Sequence, residues 1–197
     1  SDYSLALNRV DPSADDTPDP AEQTIQMNAF HGLGTVLITT ADLPPDADIE
    51  SARALAERVC EAGDTGEGSH LMKLTRACLD KAIALRVALG QTENQQSGSA
   101  ENKGFTYLRD GDFEGALNHA IKVEKTGLFA WNELVRALAA EQVGNEDISR
   151  EARRYVSMFD PEGFNACELK ALMTPEVYES ARAIISSEHD DMDVACN

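Results

Sequence analysis

The chain has 197 residues, 42% hydrophobic and 26% charged, a make-up typical of a globular protein. A chain of that length buries about 70% of its unfolded surface, so neither a metal nor a disulfide is required for a core. Seventeen Lys and Arg against 35 Asp and Glu leave a formal net charge of −18, which disfavours nucleic-acid and anionic-lipid surfaces.

In chain order, Ser1 to Asp19 reads as a disordered tether, with Asp11, Asp15, Asp16 and Asp19 interleaved with Pro12, Pro18 and Pro20. The chain opens at Ser1 rather than methionine, which fits removal of an export leader or trimming equally. Leu33–Thr40, rich in threonine and β-branched residues, predicts an extended segment lying on helices. Ala47–Glu61 predicts a helix from Ile49, Ala52, Leu55, Ala56 and Val59 at three- and four-residue steps. Leu71–Leu89 is the next helix, with Ser69 as N-cap and Gly90 as its stop. Gln91–Ala100 reads as a linker. Helices follow over Glu101–Arg109, Phe113–Lys125, Phe129–Val143, Asp147–Met158, Asn165–Met173 and Pro175–Ser187, the last opened by Thr174-Pro175. Residues 188–197 form an acidic tail. The body, residues 20–187, is therefore expected to be all-α, a stack of antiparallel helical hairpins. No apolar run reaches the roughly 18–20 residues of a membrane span. Arg86 breaks Ala82–Leu89, and threonines break Thr35–Thr40.

Asn102–Leu117, with Gly104, Tyr107, Gly111-Asp112-Phe113-Glu114 and Ala116, resembles a tetratricopeptide repeat in spacing as well as composition. Ala120 and Val123 take the small or apolar slots of the second helix. Ala130-Trp131-Asn132-Glu133-Leu134 resembles the opening of a following unit, with Ala137, Gly144-Asn145 and Ala152 behind it. The resemblance is clear over Asn102–Val123 and partial over Leu128–Tyr155. It implies an α-solenoid in which each hairpin needs neighbours to cover its apolar face. It also implies a concave groove for a partner segment, lined by Glu101, Phe105 and Leu108 from the first unit and Asn132, Arg136 and Ala139 from the second. Phe105 and Leu108 would be apolar anchors there, and Arg136 would clamp a carboxylate.

Chemical motifs are sparse. Asp110–Gly115 resembles the start of a calcium loop, but Ile121 stands where the bidentate Glu belongs. No Cys-x-x-Cys pair suggests zinc, and His189, Asp190, Asp191, Asp193 and Cys196 read as a solvated acidic tail. Nothing ties a cysteine to His31, His70, His119 or His189 as a nucleophile pair, and His119 is placed on the exposed side of its helix. The expectation is a non-enzyme without metal or cofactor. The cysteines, Cys60, Cys78, Cys167 and Cys196, allow two disulfides. A hairpin turning near Thr65–Gly66 would set Cys60 about 10 Å or more from Cys78, so Cys167–Cys196 is the easier pair, although a longer loop admits the other.

The reading at this stage is an adaptor that holds a basic or amphipathic protein segment, exported to the periplasm or cell surface, with the cytoplasm as the alternative. A small secreted enzyme or inhibitor using a loop such as Asp64–Ser69, or a tethered subunit of an envelope assembly, are the competing readings.

Overall fold

The computed structural model describes residues 19–60, 68–91, 97–124, 129–159 and 166–188, and every regular element among them is a helix. In chain order these are α1 (Pro20–Thr39), α2 (Ala47–Cys60), α3 (His70–Ala88), α4 (Ser97–Asp110), α5 (Phe113–Glu124), α6 (Ala130–Gln142), α7 (Glu146–Val156), α8 (Ala166–Leu172) and α9 (Pro175–Glu188). The all-α expectation therefore holds for the described residues. The tether and the acidic tail lie outside them, apart from Asp19 and Glu188 at the edges. The chain divides between Ala100 and Glu101 into two units, so that α4 begins in the first and continues in the second. None of the described helices is long and apolar enough to cross a membrane.

In the first unit, α1 starts where Asp19 accepts a hydrogen bond from the Ala21 amide, with Pro20 at the first helical position. It then continues through Leu33 to Thr39, with Thr40 as its C-cap, over the stretch expected to be extended. Two facts account for the difference. The Thr35, Thr39 and Thr40 hydroxyls donate back to the carbonyls of His31, Thr35 and Val36 at 2.9, 2.8 and 2.7 Å, so the threonines are satisfied inside a helix. Phe30, Leu33, Gly34, Leu37 and Ile38 also form a buried stripe at helical spacing, and tertiary burial outweighs intrinsic strand preference. The linker reading is shortened as well, because α4 already starts at Ser97.

The main packing partner of α1 is α3. Gly34 makes the crossing close: a Cβ there would lie 2.8 Å from both Cγ and Cδ2 of Leu79, which is itself fully buried. Lys81 of α3 fastens the third helix, donating from Nζ to the Val59 carbonyl at 2.7 Å while its ammonium lies 5.7 Å from the Phe30 ring centroid.

Cys60 and Cys78 are joined in a disulfide with a Cα–Cα distance of 4.9 Å, the pairing expected to be the harder one because a tight hairpin would set them out of reach. That expectation assumed a tight antiparallel hairpin turning near Thr65–Gly66, positions outside the described residues. Cys60 is the last residue of α2, and it meets the middle of α3 rather than its start, as the Lys81–Val59 bond also shows. Cys167 is disulfide-bonded too, and Cys196 lies outside the described residues.

In the second unit α5, α6 and α7 follow one another as packed neighbours, and α9 lies against α6, α7 and α8. Gly111 (φ 72°) and Gly144 (φ 73°) make the turns before α5 and α7, a backbone conformation that favours glycine. Asp112 then caps α5, accepting from the Gly115 amide at 2.8 Å, and Asn145 caps α7, accepting from Ile148 at 3.2 Å. The residues that resemble a calcium loop thus work as a turn and an N-cap. Arg109 closes the end of α4 on the chain after α8, donating to the Met173 carbonyl at 2.9 Å.

Gly34→Ala is expected to destabilise the chain by about 1–2 kcal/mol in chemical denaturation. Overpacking against Leu79 outweighs the gain in helix propensity of about 1 kcal/mol. Replacing Cys60 and Cys78 together by Ala is expected to cost about 3 kcal/mol, the loop-closure value for a bridge of this span, read as a lower unfolding midpoint.

Candidate functional site

The residues expected to face a groove are engaged inside the second unit. Phe105 and Ala139 are fully enclosed, Leu108, Asn132 and Arg136 are buried, and Glu101 is half-buried. Phe105 meets Trp131 edge-on, with ring centroids 5.9 Å apart. Asn132 donates from Nδ2 to the Ala120 carbonyl at 3.1 Å, tying α6 to α5. Gly104 allows a close approach to α6, since a Cβ there would sit 3.1 Å from Cγ1 of Val135.

Glu101 has a specific task. Phe129, at the N-cap of α6, has no side chain able to receive the first amides of that helix. Glu101 supplies the acceptor from α4, its Oε1 receiving the Trp131 and Asn132 amides at 3.2 and 3.3 Å. Burial pushes its carboxyl above the ordinary glutamate range, and the two amide donors pull it partly back.

Arg136 does clamp carboxylates, but they belong to its own chain. It meets Glu124 of α5 at 3.5 Å, Glu133 of α6 at 3.2 Å, and Glu151 of α7. A groove role would require the guanidinium to be reachable, and it is 4% exposed. The three partner glutamates were not singled out by sequence reasoning. The three-residue step from Glu133 to Arg136 was the available signal, and it looks the same on a solvated helix face.

The histidines do not assemble with a thiol. His31 Nδ1 and Ser99 Oγ are hydrogen-bonded at 2.9 Å, but Ser99 is fully buried and so closed to a substrate. Burial, helped by the Arg86 charge, holds His31 below its ordinary pKa. His119 is half-buried against Tyr107, ring centroids 5.8 Å apart, rather than on an exposed face. His70 lies 3.6 Å from Glu57 at the surface, and His189 is outside the described residues. Among the described residues, no three His, Cys, Asp or Glu side chains converge as metal ligands.

An accessible cleft lies elsewhere in the second unit. Glu114, Leu117 and Asn118 of α5 form one side, and Val143 through Asp147, the turn into α7, form the other, enclosing about 650 Å³. Leu117 is the apolar floor, Val143 is partly exposed, and Glu114, Glu146 and Asp147 are exposed. These acids occupy the first turns of α5 and α7, where they also complement the helix dipoles. Arg150 meets Asp147 at 3.3 Å, an exposed pair that contributes little and yields easily to a competing cation.

Comparison of the chain with protein-family models, curated proteins and solved structures returns no match.

Removing the carboxylate in Glu101→Ala is expected to cost about 1–2 kcal/mol, the scale of a lost helix cap, while Glu101→Gln, which keeps an acceptor oxygen, costs less. Paired chemical denaturation curves measure the difference.

Proposed function

We propose that this chain is a non-enzymatic helical scaffold that binds a basic or amphipathic segment of another protein. The cleft between α5 and the α6–α7 turn carries the reading: three exposed carboxylates surround an apolar floor of Leu117 and Val143. An incoming Lys or Arg side chain would gain charge-assisted hydrogen bonds there, and its aliphatic stem would cover the floor. The remaining surface charge would steer such a segment and repel acidic competitors. This cleft replaces the groove drawn through Phe105 and Arg136, whose side chains are enclosed.

The tetratricopeptide-like reading is kept as part of the proposal. Its support is the succession of hairpins turned by Gly111 and Gly144, with α6 packed on both the helix before it and the helix after it. Export to the periplasm or cell surface is likewise proposed. The Cys60–Cys78 bridge supports it, because disulfides persist in oxidising compartments.

The test is fluorescence anisotropy with a labelled Lys/Leu amphipathic peptide against the wild-type chain and a Glu114→Gln, Glu146→Gln, Asp147→Asn triple variant. Binding to the wild-type chain is expected to weaken about tenfold when salt is raised several-fold, with a comparable loss in the triple variant at low salt. Equal affinity for both chains overturns the assignment.

A further inference from the structure

The Arg136 cluster draws on three consecutive helices, and its charges do not balance. One guanidinium faces three carboxylates, those of Glu124, Glu133 and Glu151. Their enclosure differs sharply: the Glu133 side chain is 0% exposed, against 28% for Glu124 and 50% for Glu151. Water can stabilise the two outer carboxylates, but not the inner one. Glu133 is also under-bonded, because its Oε1 and the Arg136 Nε are buried without hydrogen-bond partners. An enclosed carboxylate oxygen with no donor carries a desolvation cost that a proton removes.

The surroundings of Glu133 reinforce this. Arg136 and the Asn132 side chain, on its own helix, favour the charged form, and Glu124, from α5, opposes it. Glu151, from α7, competes for the same guanidinium. From α4, Glu101 caps the two residues immediately before Glu133 and adds no cation. From α9, no charge acts on it among the described residues. Burial is the largest influence, and the carboxyl lies above the ordinary glutamate range.

We infer that Glu133 is a proton-binding switch that sets how tightly Arg136 braces α5 and α7 against α6. Protonated, Glu133 leaves the guanidinium to Glu124 and Glu151. Ionised, it divides the same donors three ways and keeps an unsolvated charge inside the unit. The folded chain therefore holds this proton more tightly than the unfolded chain, whose glutamates titrate near about 4.3. The stability this group contributes is complete below that value and is lost as pH rises through the higher folded value.

The experiment is urea unfolding of the full chain, wild type beside Glu133→Gln, in steps from about pH 4.5 to about pH 8. The glutamine variant mimics the protonated side chain. Its unfolding midpoint is expected to rise relative to wild type as pH increases, with the gap smallest at the acidic end. Midpoints that run parallel across the range, or a variant that loses ground toward pH 8, overturn the inference. If the variant does not fold, carbon-13 NMR titration of the Glu133 carboxyl in the wild-type chain decides. A midpoint above those of exposed glutamates supports the switch, and one at or below them overturns it.

Discussion

From Asn132 to Ala140 the helix α6 has no side that faces water. This constraint organises the second unit, because a submerged helix must find partners for its polar groups within the protein. Glu101 reaches from α4 to receive its first amides, Asn132 bonds a carbonyl of α5, and Arg136 gathers carboxylates from both neighbouring helices. Asn132 and Arg136 therefore also link α6 to its neighbours. The same enclosure explains why side chains with the chemistry of a binding groove, a carboxylate, an amide and a guanidinium, are committed to holding the fold.

Much of this architecture was legible in the sequence, and the failures have identifiable physical causes. Helices closed by a cap and a glycine were readable to within a residue or two, as Ser69 and Gly90 around α3 and Thr174-Pro175 before α9 illustrate. Leu33–Thr40 was misread because threonine's strand preference was weighed above the three- and four-residue spacing of Phe30, Leu33 and Leu37. The Cys60–Cys78 bridge was ranked second because adjacency in sequence suggested an end-to-end hairpin, whereas α2 meets α3 partway along its length. The residues expected to line a groove lie on α4 and α6, but their burial was not visible. Helical periodicity specifies which face is apolar, and says nothing about which helix is covered on every side.

The charge of the chain has two distinct structural destinations. Glu101, Glu124, Glu133 and Glu151 are tied into the interior or its margin, where amides and Arg136 hold them. Glu114, Glu146 and Asp147 face outward around an apolar floor. The first set is already engaged within the protein, so the net charge of −18 overstates the number of carboxylates available for recognition.

The two units also differ in the path by which they can assemble. In the second, the most extensive packing is between successive helices, α5 with α6 and α6 with α7. In the first, α1 finds its main partner in α3, with all of α2 lying between them in sequence. Local pairing closes short loops and forms early, whereas α1 and α3 must close a longer one before their own burial compensates the lost chain entropy. During synthesis α1 emerges before α3 and stays incomplete until α3 has been made, so its apolar stripe from Phe30 to Ile38 needs protection while the chain is young.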